Sequence, residues 1–127
     1  MLNGSVLEKL NDQIVQEAYS ANLYLSMSAW CSYNAFEGSA TFLYKHAQEE
    51  FEHMRKLFIY IQETGSLAVI KKIEAPTSDF KSILDVFEKT YAHEQKITKS
   101  INSLVDFVLT EKDYSTFNFL QLSLIHI

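Results

Sequence analysis

Apolar residues recur at alternating steps of three and four over three long stretches of the chain, the spacing that lines one face of an α-helix. The first seam reads Leu7, Leu10, Ile14, Glu17, Ala21, Tyr24, Ser28. The second runs Ala40, Leu43, Ala47, Glu50, Met54, Leu57, Ile61, and the third Phe80, Leu84, Phe87, Tyr91, Glu94, Ile101, Val105, Val108. One glutamate interrupts each seam near its middle. Tyr33 to Gly38 is short and carries asparagine and glycine, so the first two helices are expected to be antiparallel neighbours. Gly65, Ser66, Pro76, Thr77 and Ser78 mark a second break, with Ser78 or Asp79 the expected N-cap of the third helix. Thr110 to Asp113 form a short turn, after which a fourth helix is expected from near Tyr114, antiparallel to the third.

The second break is long for a compact domain. A second helix of roughly 28 residues at about 1.5 Å each is about 42 Å long. A connection of about 14 residues, extended to at most roughly 3.3 Å each, reaches about 46 Å. It can therefore run back along the bundle and start the third helix parallel to the second, as four-helix bundles with one long crossover do.

Composition narrows the class of partner. At 127 residues the chain suits one domain. It is 47% hydrophobic with one proline and three glycines, which disfavours disorder and turn-dense all-β folds. The formal charge of -5 gives no electrostatic footprint for nucleic acid or an anionic membrane, and favours cations as small partners. Cys31 is the only cysteine, so no intrachain disulfide or Cys-based metal cluster can be built. Met1 to Gln13 lack a basic region followed by an apolar run, and no stretch has the roughly 18 apolar residues of a membrane span. No signal peptide, no membrane association and a cytoplasmic location are expected.

The seam glutamates carry the chemistry. A carboxylate buried alone costs several kcal/mol unless it is protonated, hydrogen-bonded or bound to a cation. Glu17, Glu50 and Glu94, each near the middle of a long helix, are expected to converge at one level of the bundle and to share a counter-ion. Glu50 and His53 add a Glu-x-x-His pair, whose i, i+3 spacing puts both side chains on one face. Carboxylates with one imidazole suit iron, manganese or zinc.

At these residues the chain resembles the non-haem ferritins. The likeness extends from Met1 to Gln121 and rests on Ile14-Val15-Gln16-Glu17-Ala18-Tyr19-Ser20-Ala21-Asn22-Leu23-Tyr24-Leu25, on Phe42-Leu43-Tyr44-Lys45-His46-Ala47-Gln48-Glu49-Glu50-Phe51-Glu52-His53-Met54 and on Tyr91-Ala92-His93-Glu94. It implies an all-α, ferritin-like four-helix bundle with a long crossover between helices two and three. It also implies a di-iron centre with Glu17 and His53 on one iron, Glu94 on the other and Glu50 as the bridge. Tyr24 matches the tyrosine beside that centre, and Glu49 a glutamate of a third iron site. The implied function is iron storage with ferroxidase activity: Fe(II) is oxidised by O2 or peroxide and stored as mineral in a homo-oligomeric shell of 24 subunits. No haem is expected, because Glu52 stands near the methionine position of bacterioferritins. Rubrerythrins fit less well, since Ile97 stands where a second Glu-x-x-His would need its histidine.

The likeness breaks at Leu122. Family members continue with an aromatic pair and a turn rich in Glu, Gln and His that supplies a glutamine and a glutamate to the irons. Here Ile127 stands at the glutamine's place and the chain ends before the glutamate's. The fourth helix is therefore expected to be incomplete, with a ferritin-like domain over residues 1–121. Residues 122–127 are expected to be a non-native tail, the six residues that a sequencing-library adapter encodes when read in frame, and His126 is not taken as a ligand. Leu43, Leu57, Phe87 and Ile101 are expected to be left partly exposed, and iron oxidation to be weak.

Competing readings attach to single residues. Glu17, Glu50 and Glu94 can sit on solvated faces if the seam phase is wrong, and Tyr24 can be plain core packing. His46 and His93 are read as surface or interhelical hydrogen-bonding groups, Cys31 as a small buried hydrophobe, and Met27, Met54 and Trp30 as packing. A metal-free structural bundle and another ferritin-like di-iron oxidase are the alternative functions.

Overall fold

A computed structural model of the chain describes residues 1–124. It holds four helices in the order α1 (Gly4–Tyr33), α2 (Glu37–Glu63), α3 (Ile83–Thr110) and α4 (Tyr114–Ser123). Residues 125–127, and the expectation about His126 with them, lie outside the described residues.

Three of the four helices begin on side-chain caps. Asn3 accepts a hydrogen bond from Val6 N, Ser82 from Asp85 N, and Asp113 from Thr116 N, each satisfying a donor that the first helical turn leaves unpaired. Ser82 replaces Ser78 and Asp79, the expected caps of α3. The Asp85 carboxylate reaches back to Lys81 N at 2.9 Å, so the two side chains brace the helix start from both sides. Phe80, which the third seam included, lies ahead of the helix but is buried.

The first three helices end alike. Ala35, Gly65 and Lys112 have φ of 65°, 78° and 58°, and each donates its N–H back to a carbonyl of the last turn. The following residues, Phe36, Ser66 and Asp113, bond back to Cys31, Ile61 and Val108, completing the paired bonds of a Schellman motif.

Contacts along α1 fix the topology. Met27, Tyr24, Ser20 and Gln16 meet Thr90, Glu94, His93 and Ser100 in turn, so α3 is antiparallel to α1. Phe42 and His46 of α2 meet Phe87 and Glu94, so α2 and α3 are parallel, as the length of the connection requires. The connection follows α1: Ser66 Oγ receives Leu2 N, Val69 N donates to Asn11, Lys71 pairs with Asp12, and Ser26 donates to the Thr77 carbonyl. Between Asn11 and Ser26 a helix rises about 22 Å, and the residues from Val69 to Thr77 cover about that distance only when nearly fully extended.

Two apolar clusters fill the interior. One joins Val6, Leu10, Ile14, Leu57, Ile61 and the C-terminal half of α3 to Leu120 and Leu124 of the α4 end. The other gathers Leu23, Tyr24, Met27, Cys31, Leu43 and Val86 at the opposite end. Glu17, Glu50 and His53 are buried between them in sequence and in space.

The third seam is out of phase in its first half. Val86 and Thr90 face inward, whereas Leu84 and Tyr91 are 66% and 67% exposed. The cause is α4, whose ten residues span about 15 Å against about 42 Å for α3. It anchors at one end only, through Tyr60 Oη on Thr116 Oγ1 at 2.9 Å and a stacked Tyr60–Phe119 pair. Of the four residues expected to be partly exposed, Phe87 is, but Leu43, Leu57 and Ile101 are buried by α1 and by the α4 stub. Leu124, in the segment expected to be a non-native tail, is buried in the first cluster.

Candidate metal centre

Glu17 projects from the middle of α1 and Glu50 and His53 from the middle of α2, and all three are buried. One ligand atom from each lies within 4.8 Å of the other two. His53 Nδ1 stands 3.6 Å from Glu17 Oε2 and 3.5 Å from Glu50 Oε2, ion-pair contact longer than a hydrogen bond. Among the described residues neither of those carboxylate oxygens receives a hydrogen bond. Glu17 Oε1 does, from Gln13 Nε2 at 2.9 Å.

Charge explains what the arrangement lacks. Burial pushes the Glu50 carboxyl up to about 7, with help from the neighbouring Glu17 and against the pull of His53. Burial works to lower the His53 imidazole, but the two carboxylates overcome it and raise it to about 9. Burial likewise works to raise Glu17, and contacts with His53, Glu50 and Gln13 bring it below its ordinary value. Two carboxylates thus share one imidazolium, and the group retains protons that a bound dication displaces.

Glu94 does not join this trio. It lines the same crevice of about 110 Å³ as Glu50 and His53, but among the described residues it is not in the group within 4.8 Å. Its Oε1 accepts from Tyr24 Oη at 2.6 Å and meets His46 Nε2 at 2.9 Å. Burial raises the Tyr24 phenol far above its ordinary value and Glu94 adds to that, so Tyr24 is a donor at every ordinary pH. The rings of His46 and His93 flank Tyr24 edge-on at 5.0 and 5.7 Å. Thr98 and Asn102 of α3 also line the crevice, with Leu124 at the α4 end.

The sequence profile of the ferritin family, described as a ferritin-like domain, matches residues 7–125. The chain belongs to the ferritin family. A bacterial non-heme ferritin from Campylobacter jejuni is 57% identical to it over 121 residues, 95% of this chain and 72% of that protein. A probable bacterial non-heme ferritin-like protein from Haemophilus influenzae is 60% identical, over 95% of this chain and 73% of its own length. The solved structure of Chlorobium tepidum ferritin superimposes with a TM-score of 0.92 at 52% identity, over 96% of this chain and 74% of that one. Iron storage is the function of this ferritin family.

The ferritin fold brings together three of the residues singled out in the sequence, Glu17, Glu50 and His53, and sets Glu94 and Tyr24 across the crevice as a hydrogen-bonded pair. Glu49 is exposed on α2, apart from the buried trio. His46 and His93 form interhelical hydrogen bonds, to Glu94 and Ser20, as read from the sequence. Cys31 is fully buried, and burial raises its thiol. Gln13 was not singled out, although it stands one turn before Glu17 on the same face of α1. Glutamine four residues from a buried glutamate is the signal that could have found it.

Proposed function

We propose that this ferritin is a ferroxidase, which takes Fe(II) as substrate at Glu17, Glu50 and His53 and passes Fe(III) to a stored mineral. The observation that carries the reading is the buried meeting of those three side chains, from two helices, with two carboxylate oxygens that accept no hydrogen bond among the described residues. Hard anionic oxygens hold the trivalent product more strongly than the divalent substrate, which favours oxidation. Two Fe(II) ions give two electrons to O2, which with two protons becomes hydrogen peroxide, and peroxide can take two more from a second pair. Glu50 faces both the trio and the crevice toward Glu94, and is the residue suited to bridge two irons, with Glu94 serving the second. Tyr24 holds Glu94 and so sets where that second site lies. In this reading Glu49, exposed on α2, takes a third iron from solvent.

The centre works without haem in this reading: Glu52, near the place of a haem-binding methionine, pairs instead with Arg55. Among the described residues no helix is long and apolar enough to cross a membrane. With its one thiol buried and free, a cytoplasmic cage of 24 copies is the proposed setting. Residues 122–127 are proposed to be foreign to it.

The test is aerobic Fe(II) oxidation, followed by the near-ultraviolet absorbance of Fe(III). The chain is expected to oxidise Fe(II) faster than buffer, and Glu50→Ala to fall to the buffer rate. Equal rates for the chain and the variant would leave a metal-free helical bundle as the better description.

A further inference from the structure

We propose that Gln13 is a positioning residue that fixes how the Glu17 carboxylate is presented to the metal, tying back one oxygen so that the other alone faces the site. The inference rests on the reading of Glu17 as a metal ligand. Gln13 is 2% exposed, Glu17 is fully buried, and the two lie one turn apart on α1. Gln13 Nε2 donates to Glu17 Oε1 at 2.9 Å, while Glu17 Oε2 turns toward His53 and accepts no hydrogen bond among the described residues. An ionised carboxylate only accepts, so the amide must offer its nitrogen to Glu17 and its oxygen to the other side. On that other side Ser100 Oγ of α3 lies 3.3 Å from Gln13 Oε1, its stronger bond going to Gln16 Oε1 at 2.7 Å. Gln13 thus has the neighbouring helix beside its amide oxygen, and its amide nitrogen holds Glu17.

The consequence is that Glu17 binds through one oxygen. Free rotation of the carboxylate would bring both oxygens to the metal or turn both away, and the Gln13 bond removes that freedom. Residues of this kind, which orient a ligand without touching the metal, typically change affinity by about 10- to 100-fold when replaced.

The experiment titrates the intact chain anaerobically with Co(II), whose visible absorption reports ligand geometry, and measures the thermal midpoint in chelator. Gln13→Met keeps the shape and removes the donor. It is expected to weaken Co(II) binding by about 10- to 100-fold and to alter the band intensities. Wild-type affinity and spectrum in Gln13→Met overturn the proposal, as does a lowered midpoint with unchanged Co(II) binding, which marks a purely structural role. If Gln13→Met loses its helical circular dichroism, Gln13→Asn decides, because its shorter arm stays polar but does not reach Glu17; wild-type binding there overturns the proposal. Glu17→Ala separates the two levels. Should it bind Co(II) as the parent does, the ligand reading itself fails; should it bind weakly while Gln13→Met is unchanged, only the positioning role fails.

Discussion

At the scale of single residues, the metal-free site is a store of misplaced protons, and pH should reveal it. His53 is raised from 6.5 to about 9, so the folded chain holds that proton more tightly than the unfolded one does. Its contribution to stability is full below about 6.5 and is lost as pH rises through about 9. Glu50, raised from 4.5 to about 7, acts in the same direction: full below about 4.5, gone above about 7. Glu17 is lowered and acts oppositely, contributing above 4.5 and losing that contribution as pH falls through its folded value. Between pH 5 and 9 the first two dominate. The thermal midpoint of the chelator-treated protein is expected to fall by several degrees across this range. Glu50→Gln should flatten the part between about 5 and 7, and a midpoint in the parent that climbs with pH would contradict the shared-proton picture. Fe(II) binding should release protons in the same window, measurable with an indicator dye in weak buffer. Tyr24→Phe is a separate case. It removes the 2.6 Å bond to Glu94, a charge-assisted bond at a partly open site, and is expected to cost about 1 kcal/mol in urea unfolding.

The same residues show what the sequence could reveal about the site. Glu17, Glu50 and His53 were legible because a charged side chain in an apolar seam has few physical excuses, and because i, i+3 spacing survives any small error in helix phase. The placing of Glu94 was not. Its neighbours along α3 read as core, but the side that holds Leu84, Phe87 and Tyr91 needs a covering helix before it becomes an interior. Gln13 escaped notice as a site residue since a neutral polar side chain on a helix carries no burial penalty large enough to mark it when hydrogen-bonded.

At the scale of elements, helix existence, order and the long crossover followed from periodicity and from the reach of an extended chain. Boundaries depended on caps that compete locally. Ser78, Asp79 and Ser82 all qualify by type, and Ser82 prevails because Asp85 stands three residues on and can brace Lys81 N in return. The helix ends supply a prediction. Ala35 and Lys112 hold left-handed conformations that cost residues with a Cβ about 1–2 kcal/mol, while Gly65 fills the equivalent place at the end of α2 without that cost. Lys112 is exposed in a two-residue turn, so Lys112→Gly loses no packing. After the entropic cost of glycine in the unfolded chain, it should stabilise by about 0.5–1 kcal/mol in denaturant titration. A loss of stability would mean that the lysine side chain contributes something the backbone geometry does not show.

At the scale of the whole molecule, the described residues of α4 cover one end of a long bundle wall and leave the rest of it exposed. Leu84 and Tyr91 are two-thirds exposed, Phe42 is 51% exposed and Phe87 36%, and Phe42 and Phe87 touch at a ring distance of 6.2 Å. Tyr91 borders a surface depression together with Glu94, so the apolar patch adjoins the crevice that Glu94 lines. Water there raises the local dielectric and weakens every charge interaction of Glu94, while the patch invites other copies to cover it. Concentration-dependent association is therefore expected in sedimentation velocity, and charge on the patch should suppress it: Leu84→Lys with Tyr91→Lys should sediment as a smaller species at equal concentration. The same substitutions leave Glu17, Glu50 and His53 untouched, so Co(II) binding should persist. Lengthening α4 with the residues that follow in a relative should do more. It covers the patch and dries the crevice, and the expected outcome is both loss of the disordered association and faster Fe(II) oxidation. If the lengthened chain gains solubility but no rate, the open wall governs only how the molecule associates, and Glu94 does its work without shelter.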